Sequence, residues 1–120
     1  MAEKWVVLKF GGTSVAGLRQ WEIIADLARA RHEQGYRILL VCSAVAGVTN
    51  RLTALADQAD SESRLDELLE IHRSLSDELG LEHEYWLPDA EQQIRACLDG
   101  IIERPGPSST ASLLALGEWL

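Results

Sequence analysis

The sequence predicts an α/β protein built on a mainly parallel sheet and helix-rich in its second half. Three observations carry this. Two apolar, β-rich runs, WVVLKF within Lys4–Phe10 and ILLVC within Tyr36–Ser43, read as strands. The second is continuous, as strands covered on both faces of a parallel sheet are. Between them Leu18, Trp21, Ile24, Ala25 and Ala28 fall on one helical face, which makes a right-handed strand–helix–strand unit. From Val48 onward the apolar positions recur at helical spacing.

Each element has its own signals. The first strand runs Lys4–Phe10 and opens into a glycine turn. The first helix spans Leu18–Gln34, with Gly35 as the residue that ends it in left-handed geometry. The second strand is Tyr36–Ser43. A second helix, Val48–Ala59, aligns Val48, Leu52, Leu55, Ala56 and Ala59, with Thr49 and Asn50 in its first turn. Residues 60–63 read as a polar joint. The third helix, Ser63–Leu79, carries Leu65, Leu68, Leu69, His72, Leu75 and Leu79 on one stripe, and Gly80 stops it. Pro88 suits the start of a fourth helix that runs to Glu103, with Ile94, Cys97, Leu98, Ile101 and Ile102 inward. Arg104-Pro-Gly-Pro107 ends it, and Ser108 or Ser109 caps a last helix holding Leu113, Leu114, Leu116 and Glu118.

At 120 residues the chain is at most one domain. No apolar run approaches the ~20 residues a membrane span needs, and Met1-Ala-Glu-Lys shows no signal-peptide core. A cytoplasmic location is the expectation. Cys42 and Cys97 have no C-x-x-C or metal-ligand spacing and read as reduced core thiols, and no metal ligands are identified. His32, His72 and His83 lie in polar helical surroundings, form no cluster, and read as surface residues. Charge divides the chain. Residues 1–53 hold seven Lys/Arg and four Asp/Glu, net +3, while 54–120 hold four and fifteen, net −11. The acidic half argues against nucleic acid, and the mildly basic half suits an anionic ligand.

The basic half contains KFGGTSVA, Lys9–Ala16, at the end of the first strand. A lysine closing a strand, two glycines in the turn and two hydroxyls beyond make the chemistry of a phosphate cradle. Glycine lets backbone N–H groups approach an anion closely. Gly12-Thr-Ser-Val-Ala-Gly17 has the glycine spacing of a Walker A loop, but Leu18-Arg19 stand where Lys-Ser/Thr is required, and the Rossmann glycine pattern is absent. Thr13 and Ser14 either touch phosphate or cap the first helix, and capping is expected of one of them.

Together with VCSAVAGVTN, Val41–Asn50, and LGE, Leu116–Glu118, this run resembles the N-terminal part of the aspartate kinase branch of the amino-acid kinase family. The Thr-Ser-Val continuation and the Ser-Ala-x-Ala-Gly-Val-Thr-Asn segment look like that branch in particular. The resemblance implies a three-layer αβα sandwich and transfer of the γ-phosphoryl of ATP, with Mg2+, to the side-chain carboxylate of L-aspartate. It implies Lys9 as the residue that offsets phosphoryl charge, with Gly11, Gly12, Thr13 and Ser14 on the ATP phosphates. Ser43 and Thr49 would contact the amino-acid substrate, and Glu118 would face its ammonium group. A carboxylate acceptor is already ionised, so no general base is required. A homo-oligomer is expected of the intact enzyme.

Two central-type strands leave unpaired edges and are too few for a doubly wound sheet, and the chain stops at Leu120 inside a helix with no C-cap signal. Residues 1–120 therefore read as an incomplete kinase domain. The Arg-Gly-Gly-Ser-Asp-like run, the adenine pocket and the regulatory ACT domains that the family places downstream are absent. Competing readings are a related kinase acting on glutamate or N-acetylglutamate, and a non-catalytic anion-binding or assembly module.

Overall fold

In the computed structural model, which describes residues 3–57 and 61–120, two strands and five helices follow in chain order. They are β1 (Lys4–Phe10), α1 (Leu18–Glu33), β2 (Tyr36–Cys42), α2 (Val48–Ala56), α3 (Ser61–Leu79), α4 (Leu87–Glu103) and α5 (Pro107–Trp119). Short 3-10 turns occupy Gly12–Val15 and His83–Tyr85. The strands pair in parallel, from Lys4 opposite Tyr36 to Phe10 opposite Cys42. No helix among the described residues is long and apolar enough to cross a membrane.

In a parallel ladder, residues opposite each other share a face. One face carries Val6, Leu8, Phe10, Ile38, Leu40 and Cys42. Helix α1 serves that side, where Phe10 shares a crevice with Ile23 and Ile24. The other face presents Trp5 and Val7, each 59% exposed, with Leu39 at 50% and Val41 at 40%. The Arg37 guanidinium lies 5.5 Å from the centre of the Trp5 ring, a cation–π contact on that open face.

The core lies in the helical half. Val48, Leu52 and Leu55 of α2 meet Leu65, Leu68 and Leu69 of α3, Leu87, Ile94 and Ile101 of α4, and Leu113 of α5. The α2 and α3 sets recur at three- or four-residue spacing and the α4 set every seven residues, two helical turns, so each of these helices buries one stripe. Gly35 and Gly80 both adopt positive φ, 88° and 69°, where they end α1 and α3.

Several sequence expectations need correction. The apolar run of β2 is not covered on both faces, since Leu39, Leu40 and Val41 are exposed. On α1 only Ile24 is buried, while Leu18 and Ala25 face solvent, because no layer among the described residues lies against that side of the helix. Helix α2 ends at Ala56, before the expected Ala59, and α3 begins at Ser61, inside the expected joint, while residue 60 lies outside the described residues. So does Ala59 at the expected end of the second helix. Ile102 points outward at 63% exposure. Neither Ser108 nor Ser109 caps α5. Pro107 occupies its first turn behind Gly106, and the Ser109 hydroxyl instead donates to the Arg104 carbonyl at 2.7 Å. His72 is buried and His83 half-buried, so only His32 is a surface histidine.

Candidate functional site

Two turns leave the sheet side by side at its carboxyl edge, where open α/β sheets bind ligands. The Ser43 N–H donates to the Phe10 carbonyl (3.1 Å) and extends the ladder one residue beyond β2. The Ala46 N–H then donates to the Gly12 carbonyl (3.1 Å), tying the second turn to the first. This closeness requires Gly12. A Cβ there would stand 2.9 Å from the Ala44 carbonyl oxygen and 3.2 Å from the Ala46 nitrogen. Gly11 differs, because a Cβ at that position would meet nothing within 4 Å. Lys9 is exposed near the end of β1, opposite Val41 on the open face.

Thr13 and Ser14 lie in the 3-10 turn, and the expectation that one of them caps the first helix does not hold. Gly17 is the N-cap residue and offers no side chain. The first N–H of α1, that of Leu18, donates instead to the Glu78 carboxylate of α3 at 3.1 Å. The Trp21 indole N–H pins the turn by donating to the Val15 carbonyl at 3.0 Å. The sequence missed this device because cap and helix are sixty residues apart.

The second turn enters α2 through Gly47, whose φ of 83° is the left-handed geometry glycine adopts without strain. The Ser43 hydroxyl donates to the Ala44 carbonyl at 3.0 Å, and Thr49 is exposed in the first turn of α2. Helix α5 reaches this turn because Gly117 is small. A Cβ there would lie 3.0 Å from a Leu52 methyl, 3.3 Å from Val48 and 3.4 Å from Ala44. Glu118 follows at once. Ser43 and Glu118 line one cavity of about 300 Å³, together with His72, Ser76, Trp86 and Trp119. Lys9, Gly11, Gly12, Thr13, Ser14 and Thr49 do not line it.

His72 is the site feature that the sequence reading missed. It is 3% exposed, its Nδ1 lies 2.9 Å from the Leu68 carbonyl, and its Nε2 has no partner. A carbonyl only accepts, so Nδ1 carries the proton and Nε2 presents a lone pair. The Trp86 ring stands edge-on to it, centroids 6.4 Å apart. Burial holds the imidazole below its ordinary pKa, partly countered by the bond to Leu68. Its place on the Leu65/Leu69 stripe was the available signal.

The pattern of the amino acid kinase family matches residues 4–113. Over 71 residues the chain is 35% identical to an aspartokinase of Rickettsia felis, covering 59% of this chain and 18% of that protein. Over 53 residues it is 43% identical to an aspartate kinase of Pseudomonas putida, covering 44% of this chain and 13% of that one. Its fold overlays Escherichia coli aspartokinase III in complex with lysine and aspartate, in the T-state, with a TM-score of 0.79 at 28% identity. That overlay covers 98% of this chain and 27% of that one. The R-state structure with aspartate and ADP gives a TM-score of 0.71 at 27% identity. The chain thus matches the N-terminal part of the aspartokinase fold and spans between an eighth and about a quarter of these relatives' lengths.

Proposed function

The chain belongs to the amino acid kinase family, and on that footing we propose that it forms the acceptor side and part of the phosphate side of an aspartate kinase active site. Residues 1–120 are then the N-terminal portion of the kinase domain, with the remaining nucleotide contacts and the regulatory ACT domains in the rest of the protein. The whole enzyme transfers the γ-phosphoryl of ATP to the side-chain carboxylate of L-aspartate, works as a homo-oligomer and resides in the cytoplasm.

The observation that carries this reading is the convergence of three distant segments at one sheet edge. The glycine turn is bonded to the Ser43 turn, and Gly117 brings Glu118 against it. In the proposed reaction an aspartate carboxylate oxygen attacks the γ-phosphorus in line. The bond to the β,γ-bridging oxygen breaks and ADP leaves. Little is asked of the protein beyond positioning and charge compensation. Lys9 offsets charge on the transferring group. The N–H groups of Gly11 and Gly12 and the hydroxyls of Thr13 and Ser14 hold the phosphates. Ser43 and Thr49 bind the amino acid, and Glu118 meets its ammonium group. Mg2+ would arrive with the nucleotide and offset phosphate charge. No three His, Cys, Asp or Glu among the described residues are grouped to hold a metal.

The test is ATP-dependent acyl-phosphate formation, trapped as the hydroxamate, with aspartate, glutamate and N-acetylglutamate as acceptors. The whole protein should act on aspartate. Preference for another acceptor would assign it to a related kinase, and silence on all three would favour an anion-binding or assembly module. Lys9→Ala should cost about 3 kcal/mol of transition-state stabilisation, roughly a hundredfold in kcat, with an unchanged circular dichroism spectrum. Near-normal turnover in that variant would remove Lys9 from the mechanism.

A further inference from the structure

A buried hydrogen-bonding atom without a partner is uncommon, because desolvation costs it what a bond would return. Among the described residues His72 Nε2 is such an atom. It belongs to a side chain 3% exposed that lines the same 300 Å³ cavity as Ser43 and Glu118. The bond from Nδ1 to Leu68 turns that nitrogen back onto its own helix and leaves Nε2 as the ring nitrogen without a partner. The edge-on Trp86 ring limits rotation of the imidazole. Most of the other lining side chains, such as Val15, Leu75 and Leu79, are apolar and offer Nε2 no bond.

Resting on the reading of this cavity as the amino-acid site, we infer that His72 is a further specificity residue, whose Nε2 accepts a hydrogen bond from the ammonium group of the bound amino acid. The chemistry selects that group. Nε2 in this tautomer only accepts, and among the groups of an aminodicarboxylate at neutral pH only the ammonium donates. Glu118 supplies charge to the same cation from α5, while His72 supplies a directed neutral acceptor from α3. An acceptor fixed on two sides reads the position of the ammonium as well as its charge.

The experiment compares the whole protein with His72→Phe and His72→Gln, with aspartate as substrate and succinate, which lacks the ammonium group, as competitive inhibitor. His72→Phe should raise the KM for aspartate about tenfold or more, raise it more than it lowers kcat, and leave the succinate inhibition constant unchanged. His72→Gln, which keeps an acceptor near the Nε2 position, should restore part of the affinity. In the wild-type protein the Nε2 resonance of 15N-labelled imidazole should shift with aspartate and not with succinate. This measurement stands even if both variants fold poorly. Equal changes for aspartate and succinate, or equal Nε2 shifts with the two, would overturn the inference in favour of a packing role or an enclosed water. An active wild-type enzyme whose aspartate KM ignores His72 would overturn it while leaving the kinase reading intact. A wild-type protein silent on aspartate would overturn both.

Discussion

Gly11 and Gly12 are neighbours with opposite steric demands, so alanine at each asks a different question. At Gly12 the added methyl meets backbone of the Ser43 turn at 2.9 Å, and backbone cannot rotate away. Gly12→Ala should therefore destabilise the chain by about 1–3 kcal/mol, read from the urea midpoint. Gly11→Ala enters open space and should leave that midpoint unchanged while lowering kcat/KM of the whole enzyme, because the methyl occupies ground proposed for phosphate. Equal stability losses at both positions would contradict the geometry. The sequence shows two glycines but not which of them is crowded, since the crowding comes from a loop thirty residues on. His72 shows the same limit. Its stripe position was legible, yet a histidine among Glu, Arg and Ser reads as polar surface until Trp86, the residue before α4, is seen to stand against it. Burial lowers its native pKa below the unfolded value of about 6.5. In the window between those values the unfolded state binds more protons, so stability rises with pH. Stability should be level above about pH 6.5, fall as pH drops towards the native pKa, and level again below it. Glu118 is the charged side chain that lines the same cavity and the control for this effect. Urea midpoints at about pH 7.5 and about pH 5.5 should differ less in His72→Phe than in the wild type. Parallel profiles would assign the slope to other groups.

Helix boundaries were legible where the signal is local and illegible where it is tertiary. Gly35 and Gly80 ended α1 and α3 as read, because a left-handed terminus is written into one residue. The strands β1 and β2 also stood out as β-rich runs, to within one residue. The entrance of α1 was misread. Thr13 and Ser14 looked like caps, but they lie inside a 3-10 turn that ends before the helix begins, and Glu78 of α3 accepts from the Leu18 N–H. A carboxylate at a helix N-terminus satisfies an orphan donor and opposes the positive end of the helix dipole. It also ties the helical half to the strand–helix–strand half. Glu78→Ala should lower stability by about 0.5–1 kcal/mol, and Glu78→Gln, which keeps the acceptor and loses the charge, should recover part of it. An alanine variant with the wild-type urea midpoint would show that this end of α1 is satisfied by water at no cost.

At the scale of the whole chain, the helical half is closed and the sheet is not. The radius of gyration is 16.9 Å and the extents are 54 × 30 × 23 Å, against about 14 Å for a compact domain of this length. The core sits among α2 to α5, and the two-stranded sheet extends beside it with one face open. An apolar run reports what a strand is built to be covered by, not which segment covers it. That is why ILLVC announced a two-sided strand although nothing among the described residues covers its open face. Trp5, Val7, Leu39 and Val41 form one contiguous apolar patch, and such patches drive association. The 120-residue chain alone should therefore bind the dye ANS and sediment as more than a monomer. Val7 and Leu39 are register partners on that face, so Val7→Lys with Leu39→Glu would place an opposite-charge pair across the strands. The double variant should lose most of the dye binding and sediment as a monomer, with its helical circular dichroism intact because the helical core lies elsewhere. In the whole protein the same pair should abolish activity and soluble expression if further chain covers this face, since it would bury two charges. An unsubstituted chain that stays monomeric without binding the dye would mean that the open face closes within these 120 residues.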